Sequence, residues 1–251
     1  MQALIGGGRY KVTEVLYSDP GLDVSLCSEV TVNRSEPMIV NSFKDRAAIR
    51  TLLPALYDMK RERVPRDFCE LVTDDGCISA IFRRHAGMDL GEYMENGAIQ
   101  KYEERLSAAD RLLSSSLELD LLDDRIAERV LSVRNVFIDL PGKEAGFHYI
   151  MLPDPVSDPR FRSKRLGGIL RTMFPPDRYL PEEIECLIGE LLEGKYSGCA
   201  AVYTKWRGIC ESAVKTHEKY LKENPAEYLA RKIKAAKEKA DSHMKSGGRR
   251  I

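Results

Sequence analysis

No charge of one sign dominates this chain: 39 lysines and arginines offset 39 aspartates and glutamates over 251 residues, leaving a formal net charge of zero at neutral pH. That balance argues against a protein built chiefly to coat nucleic acid or an anionic membrane. Long apolar runs are missing too. None approaches the roughly 20 residues that a membrane-spanning helix needs, and the opening MQALIGGGRY has neither the basic stretch nor the long apolar core of a secretory leader; a cytoplasmic address is expected. Cysteine is present without a pattern. Positions 27, 69, 77, 186, 199 and 210 form no C-x-x-C and have no neighbouring histidine, which speaks against zinc and for reduced, mostly buried thiols without disulfides. No internal repeat is visible.

What is there is enough for a sizeable core: 43% of residues are hydrophobic and 31% charged. Residues 9–17, 22–32 and 37–43 alternate or cluster β-branched side chains and are separated by the turn signals SDPG and NRSEP. They predict a meander. Residues 45–60 place Ala48, Leu52, Leu56 and Met59 near helical spacing, with Pro54 expected to kink or divide the helix. Strand-like runs at 68–73 and 77–83 flank TDDG, and from about Asp89 the pattern turns helical. Leu106, Ala109, Leu112, Leu113 and Leu117 make an apolar stripe whose opposite face is acidic. A hairpin over FIDLPGKEAGFHYI follows, and everything from Ser163 reads as helix separated by proline and glycine. The fold class is therefore α+β.

One stretch carries a more specific signal. In 126–139, IAERVLSVRNVFID, an arginine precedes an asparagine by six positions and a strand-like run follows. This resembles the catalytic loop of protein kinases, H-R-D-x-x-x-x-N: Arg129 and Asn135 match, while Glu128 stands on the histidine and Val130 on the catalytic aspartate. The order of elements also resembles the two-lobed kinase fold, over roughly residues 9–209. On that resemblance the Gly-rich loop, G-x-G-x-x-G-x-V, falls on Tyr17, Asp19, Leu22 and Val24 in LYSDPGLDV, with all three glycines replaced and an aspartate facing the phosphate position. The phosphate-pairing lysine falls on Asn41 in MIVN. Lys44, three residues on, should point to the opposite face of a regular strand, and could substitute only through a bulge. The glutamate partner is missing from 46–57, which holds no acid.

The connector IFRRHAGMDLGEYM (81–94) resembles the kinase hinge, with Gly87 and Leu90 in a G-x-x-L spacing. The metal-binding D-F-G would fall near Met151 in YIMLPDP. Asp154, held between Pro153 and Pro155, is the one acid nearby, and Asn135 is the one remaining metal-ligand position; a tie between the loop and its neighbours is the reading favoured for Asn135. Only DPVSDPRFR separates the hairpin from SKRLGGILRTMF (163–174), which resembles the buried kinase helix S-x-G-x-x-L-x-x-M. No phosphorylatable activation loop fits in that space. Residues 181–209 fit the closing helices, with Leu187, Leu191 and Leu192 facing a core.

The resemblance implies a catalytically inactive kinase-like domain, a pseudokinase. It would have a five-stranded N-lobe with one helix (1–86), a reduced helical C-lobe (87–210) and a basic helical tail (211–251). No catalytic residue, metal site or cofactor is assigned. The expected role is protein binding, as a scaffold or regulatory module. Two alternatives stay open: an atypical nucleotide-binding transferase using Glu128, Asp139, Asp154 and Lys44, and an unrelated α+β binding domain. Charge is uneven along the chain. Residues 102–128 are acidic, whereas from Lys215 onward eleven lysines and arginines face five acids. In the tail, Asn224, Pro225 and Glu227 form a helix-start signature, and Leu229, Ile233, Ala236 and Ala240 trace a narrow apolar seam among lysines. That helix is expected to meet an acidic surface, on another protein or on this chain's own 102–128. Nucleic acid and lipid are disfavoured because only Tyr228 could stack or insert.

Overall fold

The computed structural model describes residues 4–30, 37–74, 76–96, 102–153, 158–234 and 237. Strands β1 (Leu4–Ile5), β2 (Tyr10–Ser18), β3 (Leu22–Glu29), β4 (Pro37–Phe43), β5 (Phe68–Asp74) and β6 (Cys77–Arg83) form an antiparallel sheet in the order β1-β2-β3-β4-β6-β5. The sheet has one strand more than expected. Gly6, Gly7 and Gly8 all take positive φ and fold Leu4 and Ile5 back onto Lys11 and Tyr10, a reversal that residues with a Cβ would resist.

Helix α1 (Arg46–Glu62) starts at Asp45, whose carboxylate accepts from the Ala48 N–H at 2.7 Å. It runs through Pro54 undivided. Pro54 lies on the exposed side, so the Arg50 carbonyl that loses its partner is open to water, while Leu52, Ala55, Leu56 and Met59 anchor the other face in the core.

The second lobe contains a small sheet, β7 (Met88–Asp89), β8 (Val136–Asp139) and β9 (Glu144–Phe147), in the order β7-β8-β9. Its helices are α2 (Leu90–Glu95), α3 (Tyr102–Ser115), α4 (Asp124–Val130), α5 (Phe161–Met173), α6 (Glu182–Leu192) and α7 (Cys199–Leu221). Leu106, Ala109, Leu112 and Leu113 of α3 are buried, as their spacing predicts. Gly167 lets α5 touch α6: a Cβ there would meet the Leu191 Cβ at 2.8 Å. The Ser163 hydroxyl donates to the Leu191 carbonyl alongside, at 2.9 Å. One apolar cluster runs from Val24 and Ile39 of the sheet through Leu112 to Trp206, so the two lobes share a core.

The boundary expected at 210/211 falls inside α7. Helix α7 runs through Gly208 and ends at Leu221, and α8 (225–234) begins with the capping box its sequence spells. The Asn224 carboxamide accepts from the N–H groups of Ala226 and Glu227, and Glu227 accepts from the Asn224 N–H. All six thiols are free, but only Cys27 and Cys199 are fully buried, while Cys69 and Cys186 are exposed. Among the described residues no helix is long and apolar enough to cross a membrane.

Candidate functional site

The β2–β3 turn is where a Gly-rich loop would offer backbone N–H groups to phosphate. Here Asp19 takes them. Its carboxylate accepts from the N–H groups of Gly21 and Leu22, each at 2.7 Å, and from the Tyr17 hydroxyl at 2.7 Å. These bonds, the tyrosine's first, hold the Asp19 carboxyl below its usual pKa. Sequence reasoning had turned this carboxylate outward against an incoming anion. It turns inward instead, because an Asx turn lets an aspartate bond the backbone two residues on.

Asn41 lies mid-strand on β4, opposite Val24 of β3 and Ala80 of β6, and is fully buried. Both ends of its carboxamide are engaged with segment 149–151. The nitrogen donates to the Tyr149 carbonyl at 2.8 Å, and the oxygen accepts from the Met151 N–H at 2.8 Å. Beside this bridge the Phe82 and Tyr149 rings stack at 4.8 Å, tilted by 8°, and burial pushes the Tyr149 hydroxyl pKa well up. Asn41 thus joins the N-lobe sheet to the second lobe.

Two further side chains grip the same segment from below. The Asn135 amide nitrogen donates to the carbonyls of Arg129 (3.2 Å), Val130 (2.9 Å) and Ile150 (3.0 Å), and the Asn135 carbonyl accepts from the His148 N–H at 2.7 Å. This is the tie expected of it. Sequence reasoning gave Arg129 no task. Its guanidinium reaches the carbonyls of Met151 (3.4 Å) and Leu152 (3.3 Å), and burial lowers its pKa. Segment 148–152 is therefore held at five successive residues by Asn41, Arg129 and Asn135.

Of the residues of the alternative transferase site, Lys44, Glu128 and Asp139 are among those described. The Lys44 ammonium pairs with Asp23 at 2.5 Å, and β4 pairs with both neighbours without a bulge to redirect it. Glu128 is buried on α4 and Val130 is fully buried, while Asp139 ends β8 at the hairpin turn. Asp154 lies outside the described residues. Among the described residues no group of three potential ligands could hold a metal ion.

The connector packs tightly on the second lobe. Gly87, at φ 135°, passes so close to β8 that a Cβ would sit 2.9 Å from the Ile138 carbonyl oxygen. Behind it lies a cavity of about 660 Å³ lined by His85, Asp67, Phe137 and Glu144 among others. His85 bonds Asp67 through Nε2 at 2.8 Å, faces Glu144 at 3.6 Å and stacks on Phe137 at 4.8 Å. The Asp67 bond, outweighing burial and Arg83, raises its pKa. His148 stacks on Phe137 as well, and burial, aided by Arg84 and His85, pushes its pKa down to about 4.

No protein-family model matches the sequence, and no curated protein is similar to it in sequence. Solved structures do match. The kinase domain of PknI from Mycobacterium tuberculosis, in a singly substituted form, gives a TM-score of 0.54 at 14% identity, covering 82% of this chain and 98% of that one. A doubly substituted form gives 0.52 at 14%, covering 86% and 97%. The chain has a protein-kinase-like fold. The reading as an unrelated α+β domain is set aside on that match.

Proposed function

We propose that this chain is a catalytically inactive kinase-like domain that works by binding another protein, as a scaffold or regulatory module. The observation that carries the reading is the Asn41 bridge. A buried carboxamide whose nitrogen and oxygen are already bonded to Tyr149 and Met151 is held on the backbone and brings no positive charge to a phosphate. Supporting it, Asp19 takes the N–H groups of its own turn, and Val130, with no proton-accepting group, stands where the kinase pattern puts its base. General-base and electrostatic contributions are worth about two to four orders of magnitude each, so their joint replacement leaves little from which to build phosphotransfer. The alternative site gains no support, since Lys44 is already paired with Asp23.

The test is calorimetric titration and thermal shift with ATP and Mg²⁺, alongside a phosphotransfer assay. We expect no transfer and no saturable binding below millimolar ATP; a dissociation constant in the low micromolar range contradicts the reading. The double variant Asn41→Lys, Val130→Asp should remain inactive. Labelling of a substrate by that variant would reveal a competent site.

A further inference from the structure

Two adjacent residues of the first lobe, Arg66 and Asp67, line the cavity of about 660 Å³ beside the connector, and both are tied to groups beyond their own lobe. The Arg66 guanidinium pairs with Glu118 at 3.2 Å. Asp67 meets His85 of the connector, whose other ring nitrogen faces Glu144 of β9 in the second lobe. His85 thus lies between a carboxylate of each lobe, 2.8 Å from one through Nε2 and 3.6 Å from the other through Nδ1. Phe137 of β8 stacks on the ring at 4.8 Å, tilted by 5°, and fixes its plane while both nitrogens face acids.

Only one charge state of a histidine suits both partners. A neutral imidazole carries one N–H and one bare lone pair, whereas the imidazolium carries a proton on each nitrogen. The bond to Asp67 is the shorter, so a single proton stays on Nε2 and the lone pair of Nδ1 then points at the Glu144 carboxylate, which it repels. The doubly protonated ring attracts both acids. Asp67 first, and Glu144 after it, outweigh burial and Arg83 and hold the His85 proton above the usual value near 6.5. His148, across Phe137, is kept neutral at pH 7 by its own burial. On the other walls of the cavity Arg66 and Asp110 are paired with Glu118 and Arg207. Arg111 of α3 and Lys143 of the hairpin turn have no ion pair among the described residues, and their charge, like that of Arg83, works against a second proton on the ring.

We propose that His85 is a proton-operated clasp between the lobes: as an imidazolium it holds Asp67 of the first lobe and Glu144 of the second at once, and on losing its proton it keeps Asp67 and releases Glu144. The clasp is closed at pH values below the histidine's own titration in the folded protein and open above it. Opening frees β9 at Glu144 from the connector and loosens that wall of the cavity. The Asn41 bridge contains no group that titrates, so the lobes keep one constant polar link and gain one that responds near neutral pH. The clasp needs neither ATP nor a protein partner and stands whether or not the domain is inactive.

The test follows the histidine and the strand separately in the full chain. NMR of the ring nitrogens reports the protonation of each His85 nitrogen against pH, and hydrogen exchange, corrected for the intrinsic pH dependence of amide exchange, reports the protection of β9. We expect both nitrogens protonated in mild acid, the proton on Nε2 alone once the ring has titrated, and a midpoint above the usual histidine value. The protection of β9 should fall about two- to fivefold through that same midpoint, the worth of a half-exposed ion pair. Glu144→Gln, a change at an exposed side chain, should lower the midpoint and leave β9 protection independent of pH while melting like the parent. Four outcomes would overturn the proposal: a midpoint at or below the usual value, a neutral ring with its proton on Nδ1, β9 protection that ignores the titration, or a Glu144→Gln variant that titrates and exchanges like the parent.

Discussion

The junction between the lobes and helix α8 use polar side chains in opposite ways. Between the lobes, Asn41, Arg129 and Asn135 turn inward and satisfy backbone groups of 148–152. On α8, Arg231 and Tyr228 also turn inward, but their doing so turns Leu229 and Ile233 out. One region loses a surface by being satisfied and the other gains one. What differs is the partner. Buried backbone amides must be paired, whereas a helix on the surface needs only enough contact to fix its rotation.

The largest effect should come from cutting the bridge. Asn41→Ala leaves the Met151 N–H and the Tyr149 carbonyl buried and unpaired, a loss of about 2–4 kcal/mol. For a chain of this size that lowers Tm by roughly 5–15 °C, measurable by calorimetry. Asn135→Ala should cost about 2 kcal/mol by the same argument. Because both act on the segment around 149–151, the double variant should lose less than the sum. An additive result would separate the two grips.

Next in size is the pH response beside the 81–94 connector, where two histidines on one phenylalanine pull in opposite directions. His148 has its folded pKa pushed down to about 4, so its contribution to stability is complete above the unfolded value near 6.5 and is lost as pH falls toward 4. His85 has its folded pKa raised, so its contribution is complete below the unfolded value and is lost as pH rises through the folded one. Asp67, Glu144 and Arg83 are the charged groups facing His85. Replacing His85 with Ala should therefore destabilise the protein more at pH 5 than at pH 8 and steepen its acid unfolding. Denaturant melts at the two pH values check this.

The surface helix should respond least. Arg231→Ala removes a half-buried set of contacts and should cost about 1 kcal/mol, whereas Leu229→Glu and Ile233→Glu should each change stability by no more than about 0.5 kcal/mol. A large destabilisation by the latter pair would place their side chains in the core after all.

Much of the architecture was legible in sequence because it depends on local pattern. The turn signals around 18–21 bounded β2 and β3, the 106–113 stripe bounded the buried face of α3, and Asn224 with Pro225 opened α8. The kinase-like order of elements could be read the same way. What could not be read depended on distance or direction. Asn41 finds its partners more than a hundred residues away, and Arg129 reaches a backbone segment whose path only the fold sets. Asp19 was misjudged because whether a carboxylate faces outward or back onto its own turn depends on loop geometry, although aspartate two residues before glycine is itself an Asx-turn signal. Leu229 and Ile233 of the expected α8 seam are exposed, and periodicity marks a face without saying what it meets.

The central claim is that Asn41 holds the backbone where a kinase would hold ATP. Hydrogen exchange at the Met151 amide tests it most directly, with and without ATP and Mg²⁺ and in the Asn41→Ala variant. The account predicts a slowly exchanging amide that ATP leaves unchanged and that the variant speeds up by orders of magnitude. An amide that exchanges fast in the parent, or whose protection changes on adding ATP, would contradict it.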